Sequence, residues 1–184
     1  ILNVNGIAAT NGLQLTSTAD NSTVRGLVIR NHTLAGIRID SGSDGNTIAG
    51  NFIGALGADG NELASTANST YGIDLRGANN LIGGNTAADR NVISASTNAS
   101  TNIWASGAGA TGNTIKGNYI GTDAAGTVGF NYSVAGVYVS GASGTTVGGA
   151  GVGDGNVIFS SSGSAIYFSS GGSGNLVQAN RINV

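Results

Sequence analysis

Apolar residues along the chain come in twos and threes, alternate with polar ones over short stretches, and are bounded by Gly or Asn. That period-2 pattern predicts short strands separated by turns, and no helix of useful length is visible. The pattern also repeats. Residues 45–54, Gly-Asn-Thr-Ile-Ala-Gly-Asn-Phe-Ile-Gly, return at 112–121 with eight of the ten positions identical. Between these copies, 72–76, 80–84 and 91–94 recur as 136–140, 145–149 and 156–159. The unit is a double one of about 65 residues, each half holding three strand-like pieces.

Aligned over the chain, the first pieces are Leu13-Gln14-Leu15, Ile37-Arg38-Ile39, Ile73-Asp74-Leu75, Ile103-Trp104-Ala105, Val137-Tyr138-Val139 and Ile166-Tyr167-Phe168. The second end in Val24, Ile48, Ile82, Ile115, Val147 and Val177, and the third in Ile29, Ile53, Ile93, Ile120, Ile158 and Ile182. Three strands with apolar residues inward and polar residues outward bury nothing alone. Stacked at the ~4.8 Å strand spacing they form three parallel sheets around one aliphatic core. The expected fold is all-β: a single domain over 1–184, a right-handed parallel β-helix (solenoid) of about six coils, ~30 Å long, with no capping helix. Insertions fall at corners, where they break no ladder: long ones at 55–71 and 122–135, short ones at 85–90 and 150–155.

Composition narrows the setting. Of 184 residues only 9 % are charged and the net charge is −2, which leaves no basic stripe for a nucleic acid. Hydrophobic content of 40 % is too high for disorder, and no apolar run is long enough to span a bilayer, so no transmembrane segment is expected. There is no Cys, Pro or Met, which rules out disulfides and thiolate chemistry. The chain opens at Ile1 without a charged or apolar leader pattern, so a processed chain or a segment of a longer one is expected. The low lysine and high Asn, Ser, Thr and Gly content fits an extracellular location.

The runs Asn-Thr-Ile-x-Gly-Asn-x-Ile-Gly, Gly-Thr-Asp-Ala-Ala-Gly-Thr (121–127), Ile-Gly-Gly or Val-Gly-Gly, and Asn-Val-Ile resemble a known family. They are similar to the right-handed parallel β-helix repeats of large bacterial secreted and cell-surface proteins. The resemblance covers nearly the whole chain. It implies an extracellular or cell-surface setting, and its motifs mark architecture, with no catalytic residue set attached.

Asparagine recurs at two corners. Asn46, Asn80, Asn113 and Asn175 open second strands, and Asn51, Asn91, Asn118, Asn156 and Asn180 open third strands. Stacked amides at such positions bond from coil to coil and tolerate the turn geometry. Ser22 and Thr145 fill the first column where Asn is missing, and Gly26 breaks the other.

Alternation places Gln14, Arg38, Asp74, Trp104, Tyr138 and Tyr167 in one outward column of the first sheet, with Thr16, Asp40, Arg76, Ser106, Ser140 and Ser169 in the next. Arg38 should neighbour Asp74, and Asp40 should neighbour Arg76. Exposed pairs of that kind contribute roughly 0–1 kcal/mol and serve the sheet. The same carboxylates and arginines are the candidates for polysaccharide cleavage. A glycoside hydrolase, however, needs convergent carboxylates with one raised in pKa, and here each Asp has a cationic neighbour. Trp104, Tyr138 and Tyr167 on consecutive coils should stack into a flat platform, fit for sugar rings, for sheet stabilisation or for a protein contact.

Other signals are slight. Asp40–Gly45 resembles the start of a calcium loop, but Asn51 stands where a bidentate Glu is needed. Gly148–Asp154 is a single glycine-rich run, off register. His32 has no partner His or Cys and reads as a solvated turn residue. Sequons occur at Asn21, Asn31, Asn68, Asn98 and Asn131, as chance allows in this composition. No column of outward threonines suggests ice binding, and no motif asks for a cofactor or metal.

Leu2-Asn3-Val4 and Ile182-Asn183-Val184 both read as third strands, and neither end carries a capping helix. The expectation is a structural module, either a slice of a longer solenoid or a subunit stacking end to end into a stalk, sheath or filament. The alternative is a carbohydrate-active or glycan-binding β-helix using Arg38, Asp40, Asp74, Arg76 and the aromatic column.

Overall fold

A computed structural model describes residues 2–5, 11–54, 56–57, 59–60, 70–94, 100–130, 133–160 and 163–182. Short alternating pieces, too brief to bury a face each, are stacked into three parallel sheets. The first holds Asn11–Leu15, Ala35–Ile39, Tyr71–Leu75, Ser100–Ser106, Ser133–Ser140 and Ser164–Ser169. The second holds Thr23–Arg25, Thr47–Ala49, Leu81–Gly83, Thr114–Lys116, Thr146–Gly148 and Leu176–Gln178. The third has seven strands: Leu2–Asn5, Leu27–Arg30, Phe52–Gly54, Val92–Ser94, Tyr119–Ile120, Val157–Ile158 and Arg181–Ile182. Each strand pairs with its counterpart one coil away, so the architecture is a parallel β-helix of about six coils. The described residues contain no helix, and none is therefore long and apolar enough to cross a membrane.

Register follows the aligned pieces. Leu13, Ile37, Ile73, Ile103, Val137 and Ile166 form one continuous inward column. With Leu15, Ile39, Leu75, Ala105, Val139 and the inward residues of the other two sheets they make a single core, essentially inaccessible to solvent from Leu15 to Ile158.

Four details differ from the pattern-based expectation. The outward face of the third sheet is apolar: Val28 and Val92 are buried and Phe52, Tyr119 and Val157 half-buried. Leu56, Phe130 and Ala124, from the two long corner insertions, pack with Phe52, Val92 and Tyr119 into a second small core. Simple alternation assigns such positions to solvent because it takes no account of a covering loop. The corner insertions are also shorter than 55–71 and 122–135, since Tyr71 and residues 133–135 belong to strands. Leu27, not Gly26, stands opposite Asn51, because Val28 pairs with Phe52. His32 is buried, its imidazole occupying the space where a side chain on Gly12 would lie. The sequons at Asn68, Asn98 and Asn131, all of 61–69, and Asn183–Val184 lie outside the described residues.

The motif Gly-Thr-Asp-Ala-Ala-Gly-Thr at 121–127 has a local explanation. Thr122 and Gly129 form an antiparallel bridge. The Asp123 carboxylate closes the loop by accepting from the backbone N–H of Thr127 at 2.9 Å and of Val128 at 3.1 Å. Burial acts to raise this carboxyl, and those backbone bonds, with the Thr122 and Thr127 hydroxyls, outweigh it and hold it below the usual range.

Candidate functional site on the first sheet

Charge and aromatic surface converge on the outward face of the first sheet. Register sets Arg38 beside Asp74, Asp74 beside Trp104, Trp104 beside Tyr138 and Tyr138 beside Tyr167, as alternation predicts. The Gln14 amide donates to Asp40 at 2.7 Å, and Arg38 Nε donates to the other Asp40 oxygen at 2.6 Å. Arg38 Nη1 also lies 3.5 Å from Asp74, whose two oxygens accept from Arg76 Nε at 3.0 and 3.1 Å. Gln14, Asp40, Arg38, Asp74 and Arg76 are thus one network.

Two sequence expectations change here. Asp74 is completely buried although it points outward, because the two arginines and the aromatic side chains close over it. Asp40 and Arg76 do not form the expected direct pair; each instead binds the partner two residues away on its own side of the network. Two carboxylates beside two guanidiniums need no net counter-charge. Burial acts to raise the Asp40 carboxyl, but the bonds from Arg38 and Gln14 and the charges of Arg38 and Arg76 hold it below its ordinary value. The bond to Asp74 likewise raises Arg76 against the opposing effect of burial. A general acid must hold its proton at working pH, and Asp40 is tuned in the opposite sense.

The rings do stack, with one addition and one consequence. Tyr71 lies against Trp104 at 4.6 Å between centroids and 23° between planes. Trp104 to Tyr138 is 6.5 Å and 33°, and Tyr138 to Tyr167 is 5.0 Å and 38°. Arg76 sits 5.5 Å from the Trp104 ring centroid, a cation–π contact. Tyr71 escapes the alternation argument because it lies three residues before Asp74, at a strand start that reads as loop. Its hydroxyl is pushed up by burial and by the Asp74 charge. Successive ring planes are turned by 23–38° from one another and do not lie in one plane. A flat platform for sugar rings is therefore not what forms. Tyr138 is further tied by its hydroxyl to Ser169 Oγ at 2.9 Å, and Trp104 Nε1 is buried with no hydrogen-bond acceptor.

The asparagine columns form as expected, with a direction. In the third-strand column the backbone N–H of Leu27, Asn51, Asn91, Asn118 and Asn156 each donates to the Asn Oδ1 of the next coil, at 2.9–3.3 Å. In the second-strand column Ser22, Asn46, Asn80 and Thr145 do the same, each at 2.8 Å. Thr145 gives its N–H but supplies no acceptor: its hydroxyl oxygen is buried without a hydrogen-bond partner.

Several other charges are engaged as well. Arg25 pairs with Asp89 at 2.7 Å and Lys116 with Asp154 at 2.9 Å, tying the short corner loops down. Asp20 and Asp44 accept from backbone N–H groups of Asp44 and Ala78. Arg90 lies 4.1 Å over Tyr119, beside a groove of about 240 Å³ lined by Phe52, Val92 and Ala124. Among the described residues no group of three or more His, Cys, Asp or Glu is placed to hold a metal ion. No family model, curated protein or solved structure matches the chain.

Proposed function

We propose that the chain is a structural module, a rigid solenoid segment of an extracellular stalk, sheath or fibre, joined to another β-coil at its sixth coil. One observation carries this reading. Inward residues of the core from Leu15 to Ile158 are at most 9 % exposed, whereas Phe168, Val177 and Ile182 of the sixth coil are 37 %, 44 % and 49 % exposed. These are core positions lacking only the coil that would cover them, together with strand edges that are open to pairing. The face richest in chemistry supports the same reading, since its charges neutralise one another and its rings pack on themselves.

Sedimentation velocity across a concentration series tests it. The protein should associate reversibly through its sixth coil, and Val177→Lys should stay monomeric at unchanged thermal stability, because position 177 is already half in water. A wild-type chain that remains monomeric at every concentration would contradict the reading.

A further inference from the structure

The coil-to-coil joints inside the molecule prescribe the chemistry of what covers the sixth coil, and this inference rests on the reading that the sixth coil is covered. At two corners the coil nearer the N-terminus offers a backbone N–H, and the following coil answers with an asparagine carbonyl. Among the described residues nine such bonds are formed, five in one column and four in the other. The side-chain amide of every answering Asn except Asn46 reaches back as well. Asn118 Nδ2 donates to the Ile82 carbonyl, Asn156 Nδ2 to that of Ile115 and Asn180 Nδ2 to that of Val147, all at 2.8–2.9 Å. An asparagine thus secures the coil before its own. Asn175 and Asn180 do this for the fifth coil, accepting from Thr145 and Asn156. Their own backbone N–H groups occupy the donor positions of the next joint, on the half-exposed last coil.

We propose that the open end of the sixth coil is an interface for a β-coil that carries a side-chain carbonyl, asparagine above all, at both corners. Between those corners it carries aliphatic residues that cover Phe168, Val177 and Ile182. The interface continues one already built repeatedly within the chain, with the same strand spacing and the same donors. The fitting partner is a coil of the kind seen in coils two to six.

The test is a seventh coil added in cis, by fusing a second copy of residues 161–184 after residue 184. A companion fusion carries Ser in place of the appended Asn175 and Leu in place of the appended Asn180. Both should melt above the parent, and the asparagine fusion should melt higher than its companion by about 2–4 °C for each corner bond. Equal melting of the two fusions, both above the parent, would overturn the corner rule while leaving the covered-end reading intact. If neither fusion melts above the parent, the covered-end reading falls and the corner rule with it.

Discussion

Replacing Thr145 by asparagine should stabilise the protein, and the size of the gain follows from its neighbours in the column. Thr145 is fully buried, and its hydroxyl oxygen has no partner. In three other coils the Asn Nδ2 donates to the carbonyl three residues before the preceding column position. Asn80 reaches Ser43 at 3.3 Å, Asn113 reaches Gly77 at 2.9 Å and Asn175 reaches Ala142 at 3.1 Å. By that rule Thr145→Asn places Oδ1 on the Asn113 N–H and Nδ2 on the Ala110 carbonyl. Two buried bonds at about 1 kcal/mol each, with an orphaned hydroxyl removed, give a net gain of about 2 kcal/mol. In a chain of this length that raises the melting temperature by about 4–8 °C. The reciprocal change, Asn80→Thr, removes the acceptor for the Asn46 N–H and Nδ2 and should lower it by at least as much. Scanning calorimetry and urea unfolding followed by Trp104 fluorescence read both. A Thr145→Asn chain no more stable than its parent would refute the claim that the ladder contributes net stability.

Three further outcomes are expected. Asn91 is fully buried, accepts from Asn51 N–H and Nδ2 and donates to the Ile48 carbonyl and Asn118 Oδ1, so Asn91→Ala strands two backbone groups. At about 1–3 kcal/mol per orphan, urea unfolding should show a loss of about 2–6 kcal/mol, and a loss under 1 kcal/mol would count against the ladder. Gly117 has φ +65° and a Cβ there would overlap the Gly84 carbonyl, whereas Gly107, at φ +85°, has open space. Gly117→Ala should therefore fail to fold or unfold at far lower urea than Gly107→Ala, which carries only the roughly 1–2 kcal/mol backbone penalty. Asp40 is depressed below its ordinary 3.8, so its contribution to stability is complete above that pH and is lost as pH falls through the lower folded value. Urea midpoints measured from pH 5 to pH 2 should fall less steeply in Asp40→Asn than in the parent, and identical slopes would show that the network does not hold the carboxylate.

The fold was legible because every coil repeats the same physical problem. Ile37, Ile73, Ile103 and Val137 can be buried only by stacking, and the period of two fixes which side they take. The asparagine corners were legible for the same reason, since a side chain that can both donate and accept recurs at the bends. What was not legible depends on parts outside the repeat. Phe52, Val92 and Tyr119 occupy outward positions, and only the long corner insertions, bringing Leu56 and Phe130 over them, make those positions a core. Asp74 reads as a surface carboxylate until the reach of Arg38 and Arg76 closes it off. Tyr71 lies beyond the strand that its spacing suggests, so the ladder it starts is one ring longer than the sequence predicts. His32 is buried because Gly12 leaves room for its ring, a complementarity between neighbouring coils that no local pattern encodes.

The measurement that bears most directly on the coil stack and its open end is amide hydrogen exchange, resolved by residue, in dilute solution. The amides of Asn51, Asn91, Asn118 and Asn156, each bonded to an asparagine carbonyl in the next coil, should be protected to the level of global unfolding. Those of Asn175 and Asn180, which have no such acceptor among the described residues, should exchange orders of magnitude faster. Protection at Asn175 and Asn180 equal to that at Asn91 and Asn118 would contradict the account.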